Sequence, residues 1–165
     1  MKVVRVSSSS EIADAAKLMR GLVDANKVLY SDDLATIEDY YRGSWFFDSK
    51  PEVPLEYQPP NGDVLVAYVD DEPAGTVAIY RMDSTHCELK SMFVPPEYRK
   101  NGVAVVLCDA VADLAKAQGY KTIRLTTGIR QLAARQLYDR LGFEIVNPWD
   151  SNPPEGYDYF EKSLS

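Results

Sequence analysis

Apolar residues near the N-terminus gather in "KVVRVS", a β-branched run that predicts a first strand. The period then changes. In "SSSSEIADAAKLMRGLVDA" the residues Ile12, Ala15, Met19 and Leu22 or Val23 recur at helical spacing, and Ser8 with Glu11 has the spacing of a capping box. A second helix is predicted over "DDLATIEDYYRGSWFFD", with Asp32 or Asp33 near its cap. Residues 51–60, "PEVPLEYQPP", hold four of the ten prolines and read as a loop of restricted, extended backbone. "DVLVAYVDDEPAGTVAIYRM" has two β-rich runs around the turn segment "DDEPAG", a hairpin. "HCELKSMFV" is a further strand, stopped by Pro95 and Pro96.

The pattern then alternates. "GVAVVLCDAVADLAKAQG" is helical, with Leu107, Ala110 or Val111, and Leu114 along one face and Gly119 as its C′ residue. "KTIRLTT" is a strand with Ile123 and Leu125 on one side. "RQLAARQLYDRLG" is a helix ending at Gly142, and "FEIVNPW" and "YDYFEKSL" are the last two strands. The order β-α-α-β-β-β-α-β-α-β-β predicts a mixed sheet covered by helices, an α/β (α+β) fold in one domain over residues 1–165.

Composition narrows the function classes. A net charge of −7 and a pI of about 4.7 argue against a general nucleic-acid binder and against an anionic membrane surface. They favour cationic small molecules. No apolar run reaches the length a bilayer needs, and "MKVVRVSSSS" lacks a signal-peptide core. Two cysteines, Cys87 and Cys108, form no framework of bridges, so a reducing cytoplasm is expected. One histidine, His86, builds no metal site, and none is expected.

The chemistry gathers at "YRKNGVAVV". A strand, a short turn and a helix start bring free backbone N–H groups together, and the helix dipole adds partial positive charge. Gly102 removes a Cβ from the path of an anion, Ala104 keeps the next turn small, and Arg99 and Lys100 add charge. A plain helix start with two solvated cations fits this stretch as well.

Three segments carry a family resemblance. "RKNGVA", Arg99 to Ala104, resembles the Q/R-x-x-G-x-G/A acetyl-CoA signature of the GNAT superfamily of N-acetyltransferases. "LYDRLGF" resembles that superfamily's L-Y-x-x-x-G-F segment, with Ala134 at a common small position before it. Glu88 stands eleven residues before Arg99, where several members keep a catalytic glutamate. The element order is similar too, and the resemblance implies a mostly antiparallel sheet of about seven strands flanked by about four helices. The tail "NPWDSNPPEGYDYFEKSL" further resembles small members of unassigned acceptor.

What the resemblance implies is concrete. Acetyl-CoA would lie between the fourth and fifth strands. Its pyrophosphate would meet backbone N–H groups of Arg99, Lys100, Asn101, Gly102, Val103 and Ala104, and its pantetheine the backbone near Met92 and Val94. Gln131 would join the cofactor site, although many members carry asparagine there. An N–H near Phe93 or Val94 would receive the oxyanion. Tyr138 would protonate the departing thiolate. Amines titrate near pKa ~10, so a base helps; Glu88 is the candidate, and a salt bridge to Lys90 on the same strand face competes with that role. The net charge of −7 favours, as acceptor, the primary amine of a small molecule such as an amino acid or polyamine. A peptide amine, an alcohol or thiol acceptor, and a non-catalytic acyl-CoA-binding module stay open, and a homodimer is an ordinary expectation. Tyr40, Tyr41, Trp45, Phe46 and Phe47 are expected on the second helix, mostly as core.

Overall fold

The structure is a computed structural model describing residues 1–165. Seven strands build one sheet: β1 (Lys2–Arg5), β2 (Gly62–Val69), β3 (Glu72–Arg81), β4 (His86–Phe93), β5 (Thr122–Gly128), β6 (Glu144–Val146) and β7 (Tyr157–Ser163). Their spatial order is β1-β2-β3-β4-β5-β7-β6. Every neighbouring pair is antiparallel except β4 with β5. Four helices join them: α1 (Ser9–Leu29), α2 (Leu34–Tyr41), α3 (Val103–Ala117) and α4 (Leu132–Arg140). The predicted element order therefore holds throughout.

Both faces of the sheet are covered. On one, Leu107 and Val111 of α3 and Tyr138 of α4 pack with Ile123, Leu125 and Phe160. On the other, Ala15, Met19 and Val23 of α1 pack with Val64, Val66 and Ala78. Burying each such aliphatic side chain contributes roughly 1.5–3 kcal/mol. Local signals agree with these placements. Ser8 and Glu11 form the expected capping box on α1. Gly119 follows α3 with φ +86°, and the N–H of Tyr120 bonds the carbonyl of Ala115, a Schellman closure.

Three expectations change. The second helix stops at Tyr41: Arg42 turns to extended backbone with ψ 129°, and Gly43 follows with φ +74°. Trp45–Phe47 form a separate 3-10 turn. The hairpin turn is only Asp70–Asp71, both with positive φ, so Pro73 lies within β3, where the register slips between Ala67 and Tyr68. The proline-rich loop contains a 3-10 turn at Leu55–Tyr57.

One irregularity shapes the site. Thr76 pairs with Phe93 and Ala78 with Lys90, so β4 spends one residue more than β3 over this span. Ser91, with φ +56°, sits in that bulge. The extra residue reverses the alternation of side chains. Leu89 and Met92 face the α3 side, while Phe93 faces α1.

Candidate active site

Strands β4 and β5 are paired only at His86–Thr122, Cys87–Ile123 and Glu88–Arg124. Beyond Glu88 they part, and a cleft of about 940 Å³ opens between them. Its wall includes Glu88, Met92, Phe93, Val94, Arg99, Lys100, Gly102, Val103, Ala104, Gln131, Ala134 and Tyr138. Of the candidate catalytic and cofactor-binding residues, Asn101 alone is absent from that wall, and it is exposed.

At one end lies the start of α3. Gly102 is its N-cap residue with φ +79° and ψ 9°. A Cβ there would meet nothing within 4 Å, so the backbone borders open space. Glycine takes this left-handed conformation without strain and leaves the space beside it open. The first intrahelical bond runs from Val106 N–H to the Gly102 carbonyl. The N–H groups of Val103, Ala104 and Val105 thus find no partner within the chain. Lys100 also has a positive φ, +65°, and Arg99 donates through Nε to the Val94 carbonyl at 2.9 Å, fixing the turn against the end of β4. Three free N–H groups at the positive end of a helix, beside two cations, fit a phosphate group.

Tyr138 sits on the inward face of α4 and is only 5% exposed. Its ring packs against Phe143 and Phe160 at centroid distances of 5.5 and 6.3 Å. Its hydroxyl bonds no group of the chain, and the residue lines the cleft. Burial, with a smaller contribution from the Cys108 thiol, drives its pKa far above the ordinary phenol range. The group therefore stays protonated and available as a donor.

Glu88 is 6% exposed, an unusual depth for a carboxylate. Tyr80 on β3 stands directly opposite it in register and donates its hydroxyl to Glu88 Oε2 in a short hydrogen bond. Burial, and then the Glu88 carboxylate, push the Tyr80 phenol well above its usual range. The competing salt bridge between Glu88 and Lys90 does not form. Lys90 instead places Nζ 5.4 Å from the centroid of the Tyr80 ring, because that ring occupies the space beside both side chains. Tyr57 stacks edge-on against Tyr80 at 5.9 Å, and burial and the nearby Glu56 and Glu88 charges push it up to about 12. Tyr80 escaped sequence reading because only the β3–β4 register pairs it with Glu88.

A polar bridge crosses from α1 to the β5–α4 turn. Gln131 donates to Asn26 Oδ1 at 2.9 Å, while its own Oε1 accepts from Thr127 Oγ1 at 2.7 Å and from Gly128 N–H at 3.2 Å. Asn26 in turn donates to the Tyr41 hydroxyl. The amide of Gln131 is engaged within the wall of the cleft. Arg130 adds a two-pronged ion pair to Asp32, at 2.5 and 2.9 Å, with its guanidinium over the Tyr30 ring.

The aromatic group divides. Only Phe46 is core; Tyr41 and Trp45 are half-buried, and Tyr40 and Phe47 are 59% and 49% exposed. Tyr40, Tyr41, Trp45 and Phe46 wall a second recess of about 410 Å³, which shares Lys90 and Ser91 with the cleft. Cys87 and Cys108 are both buried, and burial pushes each thiol up to about 12. His86 Nδ1 lies 2.9 Å from Asp83, outside the cleft.

A sheet that parts between its two parallel strands, over a glycine-capped helix start, defines the acyl-CoA N-acyltransferase fold. Solved structures agree. A GNAT acetyltransferase of Staphylococcus aureus superposes with a TM-score of 0.70 at 21% identity, covering 99% of both chains. PaiA N-acetyltransferase of Thermoplasma acidophilum, in complex with coenzyme A, gives 0.73 at 17% identity, again over 99% of both. Residues 33–143 match the Acetyltransferase (GNAT) family. An uncharacterized N-acetyltransferase of Schizosaccharomyces pombe is 31% identical over 112 residues, which is 67% of this chain and 69% of the yeast protein. Other curated relatives are matched over 34% to 56% of their own length. The chain belongs to the GNAT family.

Proposed function

We propose that this chain transfers the acetyl group of acetyl-CoA to the primary amine of a small molecule. The observation that carries the reading is the continuity of one cleft, from the free N–H groups of α3 past the parted edge of β4 to Tyr138 and Glu88. Acetyl-CoA supplies an activated thioester. The N–H groups of Val103, Ala104 and Val105, with Arg99 and Lys100, suit its phosphates. The β4 edge beyond Glu88 lacks a strand partner and leaves backbone groups for the pantetheine arm near Met92 and Val94. A backbone N–H near Phe93 or Val94 serves the carbonyl oxygen as charge develops there.

Two side chains handle protons. Glu88, through the oxygen that Tyr80 leaves free, accepts the proton lost by the amine as the nitrogen–carbon bond forms. Tyr138 donates to sulfur as the carbon–sulfur bond breaks, so an amide and a free thiol result. The separation of the two groups on different elements, Glu88 on β4 and Tyr138 on α4, lets one receive and the other give. Calorimetry with acetyl-CoA, followed by detection of released CoA thiol against a panel of amines, tests the reading. Saturable binding with amine-dependent thiol release supports it. Binding without release for any amine identifies a binding module instead, and absence of binding overturns both.

A further inference from the structure

Lys90 stands apart from the other cations around Glu88. Arg124, paired in register with Glu88, and Arg130, in the wall of the cleft, are engaged by Glu161 and Asp32. Lys90 is not. It is half-buried, no carboxylate lies within ion-pair distance of its Nζ, and an aromatic ring supports it. It also borders both cavities, the cleft and the recess. A half-buried ammonium without a counter-ion is costly unless something anionic arrives.

Glu88 and Lys90 lie two residues apart on one strand, so they share a face with Cα atoms roughly 6–7 Å apart. Tyr80 fixes both: its hydroxyl holds one carboxylate oxygen, and its ring carries the ammonium. The result is a negative and a positive group at a set spacing. The ammonium and carboxylate of an α-amino acid, each reached by a hydrogen bond of about 3 Å, span that gap. The recess beyond has aromatic walls, Tyr40, Tyr41, Trp45 and Tyr57, and carries Glu56 as its one carboxylate. Those walls suit an apolar side chain, and Glu56 repels an acidic one.

We infer that the acceptor is an α-amino acid with a bulky apolar or aromatic side chain. Its amine meets Glu88, its carboxylate meets Lys90, and its side chain enters the aromatic recess. This rests on the acetyl-transfer reading above. The products are then the N-acetylamino acid and free CoA, with the protons handled as already described. Lys90 is a specificity-determining residue that binds the acceptor and takes no part in proton transfer.

The test compares L-phenylalanine with L-phenylalaninamide, L-aspartate and spermidine at saturating acetyl-CoA. L-Phenylalaninamide keeps the amine and ring and loses only the negative charge, and it also resembles the start of a peptide. The expected result is a kcat/KM for L-phenylalanine at least about ten-fold above that for the amide, the size of one charged hydrogen bond. Lys90→Met, which keeps the aliphatic stem, brings that ratio towards one through KM, and Lys90→Arg restores the preference. Acetyl-CoA titration calorimetry checks that each variant is folded. Equal or better use of the amide or of spermidine by the wild-type protein overturns the inference and leaves acetyl transfer standing. Preference for L-aspartate overturns the assignment of the apolar recess. Absence of thiol release with every amine overturns the inference together with the reading beneath it.

Discussion

Tyr138 and Gly102 are the two positions at which single atoms decide the chemistry. Replacing Tyr138 with phenylalanine removes one oxygen from a site already lined by Phe143 and Phe160, so the packing survives. The expected outcome is a fall in kcat of about a hundred-fold, as for loss of a general acid, with acetyl-CoA affinity by calorimetry retained. Gly102→Ala behaves differently. Its φ of +79° strains any L side chain by roughly 1–2 kcal/mol, and the methyl group projects into the open space that a phosphate would use. Stability in urea is expected to fall by about that amount, and acetyl-CoA affinity by more than ten-fold; equal losses would reduce Gly102 to a purely structural residue. Both positions were legible in the sequence because their local motifs, "RKNGVA" and "LYDRLGF", carry them. Tyr80 was not, since turn residues mark where β3 and β4 end but not which residues face each other across them.

At the level of elements, boundaries followed local chemistry. The capping box on α1 and the glycine after α3 were readable because a few neighbouring residues satisfy the helix ends by themselves. The break after α2 was missed because apolar spacing continues through Trp45–Phe47, whereas the backbone turns extended at Arg42 and left-handed at Gly43. The bulge in β4 left no trace, since Ser91 is not a residue type that advertises positive φ. Yet this bulge sends Phe93 to the α1 face and Met92 to the α3 face. Ser91→Val places a β-branched side chain at φ +56° and is expected to cost roughly 1–2 kcal/mol in denaturant unfolding. Turnover should fall along with it, because the wall between base and thioester site is built on that turn. Unchanged stability would show that β4 tolerates the residue and that the bulge does not depend on serine.

For the molecule as a whole, seven strands lie in one sheet, yet its two parts, β1–β4 and β5 with β7 and β6, meet through only three paired positions. The Gln131–Asn26 and Arg130–Asp32 contacts span the opening. No helix is long and apolar enough to cross a membrane. Several tyrosines are shut in on both sides of the sheet. Burial pushes Tyr41 and Tyr57 up to about 12 and Tyr80 and Tyr138 further still. Phenols of the unfolded chain ionise near pH ~10. Below that pH both states keep their protons and stability is undiminished; above it the unfolded chain releases protons that the folded chain retains. Stability is therefore expected to drop between about pH 10 and 12, by up to roughly 1.4 kcal/mol per pH unit for each such tyrosine. Urea midpoints across that range check this, and a flat profile would mean the phenols ionise freely in the folded protein.

The burial of both cysteines has a practical corollary. With thiols held near pKa about 12, the folded chain offers almost no thiolate to a disulfide reagent at neutral pH. A colour reaction for sulfhydryls then sees only coenzyme liberated by turnover, and the protein is silent in its own assay. Without substrates, the same reagent becomes a clock: its slow signal times the openings that expose the core between β4 and α3.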